Sequence, residues 1–110
     1  MAKQIKIPYG GKTYTLEYNR KTASLMEKNG FRIAELGDAA ATMIPLLFHG
    51  AFLANHPNVK GETKDKIYDA LKNRTKLVQT LADMYADTYN ALLDNGEDAD
   101  EGNSGWEVVE

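Results

Sequence analysis

Apolar and polar residues alternate along most of the first 18 positions, which is the pattern of half-buried β-strands. The two alternating runs, residues 4–8 and 12–18, are rich in β-branched and aromatic side chains, as strands are. Gly10 and Gly11 separate them and can take the positive φ angles that a tight hairpin turn requires. The pattern therefore predicts a β-hairpin with one apolar face. The side chains predicted on that face are Ile5, Ile7, Tyr14, Leu16 and Tyr18.

Helical spacing replaces the alternation after Asn19. That residue suits the N-cap of a first helix, which Gly30 ends. We place the start of the main helix near Thr42, because Pro45 is then in its first turn, where proline is tolerated. This helix is expected to end at residues 55–58. Its predicted buried stripe consists of Ile44, Leu47, Phe48, Ala51 and Phe52.

The remaining segments are predicted with less regular patterns. Residues 31–38 suggest a short turn of helix. Thr63 can cap a further helix that breaks near Asn73, and a last helix follows from about Thr75 to Leu93. One continuous helix over residues 63–93 fits the pattern as well. Seven residues are expected to be mostly buried across the whole body: Ile7, Leu16, Leu25, Phe48, Phe52, Leu81 and Tyr85.

Charge divides the chain at residue 94. Residues 1–93 carry 13 basic and 9 acidic side chains, whereas residues 94–110 carry seven acidic side chains and no basic one. Many like charges with few apolar residues are typical of disorder. The sequence therefore predicts a single, mostly helical α+β domain over residues 1–93, with the hairpin packed on a small helical bundle, and a disordered acidic tail over 94–110. Trp106 lies in that tail, where it is either incidental or part of a short motif that docks onto a partner or onto the basic body.

Composition excludes several kinds of chemistry. There is no cysteine, hence no disulfide and no thiolate metal site. The chain starts without an apolar segment of signal-peptide length, and its longest apolar run, residues 43–48, is too short to span a bilayer. These features lead us to expect a soluble protein of the cytoplasm, with no membrane partner.

The residues that usually carry catalysis or metal binding are sparse. The two histidines, His49 and His56, lack nearby acidic ligands in the sequence, and the only serines are Ser24 and Ser104. A catalytic triad or a zinc site is therefore not expected. Residues 73–76 could form the turn of a helix-turn-helix motif, but no basic residue follows them. We expect no enzyme activity, no cofactor, no small-molecule substrate and no nucleic-acid partner.

Four segments together resemble a known family. They are residues 14–19 (YTLEYN), 26–31 (MEKNGF), 45–52 (PLLFHGAF) and 81–85 (LADMY). In this order they look like the small tail assembly chaperones of long-tailed phages and prophages of Gram-positive bacteria. The resemblance covers residues 4–93 and is most specific where the second segment is joined to the third.

The resemblance implies that the protein binds the tape measure protein and helps to recruit tail tube subunits in the host cytoplasm. Such chaperones leave the finished tail, so the mature virion should not contain them, and many have a longer product made by frameshifting. A homo-oligomer is possible. A structural tail component and, more remotely, a small DNA-binding regulator are the alternatives. Accessible Met and aromatic residues would bind the client, and the candidates are Met43, Phe48, Phe52, Met84, Tyr85, Tyr89 and Trp106.

Overall fold

The computed structural model describes residues 4–92. Within them lie two antiparallel strands, four α-helices and one 3-10 turn, which make a mostly helical α+β fold, as expected. The predicted tail, with Trp106, lies outside the described residues. The elements in chain order are β1 (Ile5–Tyr9), β2 (Lys12–Leu16), α1 (Arg20–Lys28), the 3-10 turn (Ile33–Glu35), α2 (Ala40–Gly50), α3 (Gly61–Ala70) and α4 (Arg74–Asn90).

The hairpin forms where the alternation predicts it. Gly10 and Gly11 have φ angles of 58° and 84°, so both central residues of the turn take the conformation that glycine favours. Ile7 pairs with Tyr14 across the two strands, and both side chains are buried. β2 ends at Leu16, two residues earlier than predicted. Tyr18 is nevertheless buried, and its hydroxyl donates a 2.7 Å hydrogen bond to the Leu47 carbonyl of α2.

The turns after α2 cover the outer edge of β2. The Thr15 N–H donates to Nε2 of His56 at 2.9 Å, and Nδ2 of Asn55 donates to the Thr15 carbonyl at 3.2 Å. The Glu17 N–H donates to the Ala51 carbonyl at 3.0 Å. Side chains and one backbone carbonyl thus replace a third strand, which protects an edge that could otherwise pair with another chain.

Both ends of α1 follow the predicted signals. Oδ1 of Asn19 accepts from the Thr22 N–H, while the Asn19 N–H donates to the Thr22 hydroxyl, each at 2.9 Å. At the other end Gly30 has a φ angle of 102°, and the Gly30 and Phe31 amides bond back to Glu27 and Met26. This pair of hydrogen bonds is the Schellman motif that ends many helices.

The predicted start of α2 was wrong by two residues. The helix begins at Ala40, so Pro45 lies in its second turn instead of its first. Proline at this depth cannot donate to the Ala41 carbonyl. Pro45 is exposed, so water can reach that side of the helix. The packing of the residues that follow, Leu47 and Phe48, therefore outweighs the local cost.

Residues 61–90 form two helices, which decides between the two interpretations of this region. Asn73 has a left-handed backbone conformation, with a φ angle of 56°, and it lies between the end of α3 and the start of α4. Asparagine is one of the few residues other than glycine that adopts it readily. α3 starts at Gly61, however, so Thr63 lies inside the helix and is not its cap.

One hydrophobic core joins the hairpin to the helices. Six of the seven residues predicted to be buried are at most 4% exposed, but the prediction for Leu25 was wrong, since it is 38% exposed. α1 turns Thr22, Ala23 and Met26 inward, at helical spacing, and Leu25 lies about 100° around the helix from Met26. In residues 4–92 no helix is both long and apolar enough to cross a membrane.

Candidate functional site

An open groove of about 400 Å³ runs between α1, α2 and α3. Its walls are largely apolar, with polar groups placed at a few points, which is the usual composition of a binding site. α1 contributes its C-terminal end, α2 contributes one face together with the turn after it, and α3 contributes a single lysine. The lining residues are Met26, Asn29, Leu46, His49, Gly50, Leu53 and Lys64.

The absence of a side chain at Gly50 allows α1 to approach α2 at the groove. A Cβ atom at this position would lie 2.5–2.7 Å from Sδ, Cγ and Cε of Met26, closer than carbon or sulfur atoms can pack. Met26 is itself only 3% exposed. The two residues belong to two of the four segments that carry the resemblance, residues 26–31 and 45–52. The paired segments therefore record, in part, the contact between two helices.

Lys64 is the unusual residue of the groove, because it is charged and yet only 7% exposed. Its Nζ lies 5.6 Å from the centre of the Phe52 ring and 3.4 Å from the carbonyl oxygen of His49. That carbonyl is at the C-terminal end of α2, where the helix dipole favours a cation. Burial lowers the pKa of the Lys64 ammonium, and the nearby Asp65 carboxylate opposes this shift only in part.

His49 separates the groove from a smaller apolar pocket of about 40 Å³ between α2 and α3. Its Nε2 atom lies 2.7 Å from Oδ1 of Asp65, which joins the two helices. The smaller pocket is lined by Ile44, Pro45, Phe48, His49, Asp65 and Tyr68.

A histidine–carboxylate pair can move a proton, but proton transfer alone does not make a catalytic site. No serine lines either of these two pockets. Within residues 4–92 no three His, Cys, Asp or Glu side chains come together in a way that could hold a metal ion. The arrangement combines an apolar surface, one buried cation and a polar pair on the rim.

The candidate partner-binding residues are placed differently from what a client-binding surface needs. Five of them lie in the core with exposures of 5% or less: Met43, Phe48, Phe52, Met84 and Tyr85. Their expected accessibility is corrected by the structure, because so small a body requires its large side chains to build a core. Tyr89 is 42% exposed, and Trp106 lies outside the described residues.

Sequence reasoning did not find the groove, because its residues come from segments far apart in the chain. Leu46 and Leu53 are half-buried, and they flank the stripe that the helical spacing assigned to the core. Gly50 inside an apolar helix was the one available signal, since glycine there marks a close approach. Lys64 gave no signal, because a lysine on a helix is usually on the surface.

Comparison with known proteins identifies a family without identifying an activity. Residues 1–109 match the family model described as "Domain of unknown function (DUF5055)". No curated protein and no solved structure matches the chain.

Proposed function

The chain belongs to the DUF5055 family, and we propose that it works by binding another protein chain, as a phage tail assembly chaperone without catalytic activity. Its client would be the tape measure protein, with tail tube subunits recruited alongside. Its place of action would be the cytoplasm of the bacterial host.

The observation that carries the proposal is the open groove between α1, α2 and α3. A helix of a client chain could place its apolar face against Leu46 and Leu53, the half-buried leucines of the groove, which is a common way for a groove to bind an amphipathic helix. The resemblance of residues 4–93 to tail assembly chaperones supports the same proposal and supplies the identity of the client.

Co-expression with the tape measure protein of the same phage tests the proposal. The full chain should raise the soluble yield of the tape measure protein, because it covers apolar surface that otherwise aggregates. Leu46→Glu and Leu53→Glu should reduce this effect, since each puts a charge on the apolar wall of the groove. Leu25→Glu is the matched control, because Leu25 is exposed and is not a lining residue of the groove.

The fold of each variant is verified by thermal unfolding before yields are compared. An unchanged yield with the full chain would contradict the chaperone function, and equal losses in all three variants would contradict the groove as its site. Mass spectrometry of purified virions distinguishes a chaperone from the main alternative, a structural tail component. A chaperone is absent from the mature particle, whereas a structural tail component is present in it.

A further inference from the structure

Lys64 has no salt-bridge partner within the part of the chain that the structure describes. Among residues 4–92 the two salt bridges are His49–Asp65 and Arg74–Asp69, and neither includes Lys64. The Asp65 carboxylate is instead held by Nε2 of His49 at 2.7 Å. A nearly buried ammonium whose contacts are a carbonyl oxygen and a ring face is poorly compensated for the water it has lost. A carboxylate entering the groove would supply that compensation.

The chain carries a segment of the matching chemistry. Residues 94–110 contain seven acidic side chains and no basic one, whereas basic side chains are in excess over residues 1–93. The last five residues, Trp106-Glu107-Val108-Val109-Glu110, combine apolar and acidic side chains. An apolar groove with a cation inside it is complementary to such a peptide.

We propose that the groove between α1, α2 and α3 binds the chain's own acidic segment, residues 94–110, with Trp106 on its apolar wall and a carboxylate on Lys64. The acidic segment would occupy the surface offered to a client. That the segment competes with the client rests on the proposed function. The docking itself does not.

The segment that follows α4 is long enough to reach the groove. The C-terminal end of α1 borders both, since Met26 and Asn29 line the groove while the Phe31 ring packs 4.8 Å from that of Tyr85 on α4. Asn90, the last residue of α4, is five residues beyond Tyr85, about 7.5 Å along the helix. Residues 93–110 could then span up to about 60 Å if extended. Lys28 and Arg32, both exposed, lie at that end of α1 and add positive charge there.

A short covalent connection favours docking even when the intrinsic contact is weak. Connections of this length give effective concentrations on the order of 1 mM, so a contact with a Kd of about 0.1 mM would be occupied in roughly nine molecules of ten. Partial occupancy of this kind suits a segment that a client must displace.

Trp106 makes the docking measurable in the full chain, because it is the single tryptophan. We expect its acrylamide quenching constant to be several-fold lower than that of a synthetic peptide of residues 94–110. Lys64→Met keeps the apolar stem and removes the charge, so it should raise the constant to near the peptide value. Lys66→Met is the matched control: it removes the same charge from an exposed position on α3 and should leave Trp106 protected.

Four results would contradict the proposal. The first two are a quenching constant in the full chain equal to that of the peptide and an equal effect of the two lysine variants. The third is protection that grows with protein concentration, which would mean that a second copy supplies the segment. The fourth is persistence of protection in Lys64→Met, which would place the segment elsewhere. The measurement contains no client, so its failure leaves the proposed chaperone function untouched, and failure of the co-expression test leaves the docking untouched.

Discussion

Gly50 is the residue at which a single atom decides how two helices meet. Gly50→Ala should lower the free energy of unfolding by about 1–3 kcal/mol, the usual cost of overpacking a core, because its Cβ would overlap Met26. Met26 is a flexible side chain, but its burial leaves it little room to move away. Urea unfolding measures the effect.

The control for that substitution is Gly37→Ala. A Cβ at Gly37 meets no atom within 4 Å, and its backbone is not in the left-handed region. Its effect on the urea midpoint should be small. Equal midpoints for the two variants would show that α1 and α2 do not need the close contact.

Lys64 has a second consequence at the residue scale, in the pH dependence of stability. Burial lowers its pKa in the folded chain, so below that lowered pKa the ammonium is charged in both states and the desolvation penalty acts in full. As the pH rises through the lowered pKa, the folded chain loses its proton before the unfolded chain does, and the penalty falls. The stability of the wild-type chain relative to Lys64→Met should therefore increase between neutral pH and the ordinary lysine pKa of 10.5.

Chemical unfolding of the wild-type chain and of Lys64→Met over this pH range measures how their difference in stability changes with pH. The experiment is run at about 1 M salt, where the screening length is about 3 Å and a contact with the acidic segment is suppressed. Burial also raises the pKa of Tyr18 and Tyr85, but these tyrosines are present in both chains and cancel in the difference. A relative stability that falls with pH would contradict the assigned cause.

At the scale of elements, local chemistry could be predicted from the sequence and long-range packing could not. The hairpin turn and both ends of α1 follow from side chains within a few residues of each other, and all were predicted. The start of α2 was not, because proline sets a local preference that the packing of Leu47 and Phe48 overrides. The groove could not be predicted, because the spacing of apolar residues along the chain does not show how the three helices assemble.

The cover over β2 is an element-scale feature with a direct test. His56→Ala removes the acceptor of the Thr15 N–H and leaves a partly buried donor without a partner, which should cost about 1–3 kcal/mol. His49→Ala is the comparison, since the ring of His49 pairs with an exposed carboxylate and should matter less. Thermal unfolding ranks the two variants. A larger loss for His49→Ala would show that the β2 edge does not depend on His56.

At the scale of the whole molecule, a single core spans the hairpin and all four helices. Among residues 4–92, its buried residues run from Ile7 to Tyr85. The family match continues to residue 109. The family unit therefore includes the acidic segment that is proposed to dock in the groove.

Deletion of residues 94–110 tests both whether the body folds without the acidic segment and whether docking of that segment stabilises it. The shortened chain should remain folded, with an unchanged circular dichroism spectrum, because it retains all the buried residues found within residues 4–92. For a contact with a Kd of about 0.1 mM, docked in roughly nine molecules of ten, this deletion should lower the unfolding free energy by about 1.4 kcal/mol. Because the contact is between opposite charges, the difference between the full and shortened chains should shrink as salt rises. Unfolding of the shortened chain would instead make the segment part of the domain, and equal stability of the two chains at low salt would mean that the groove stands empty.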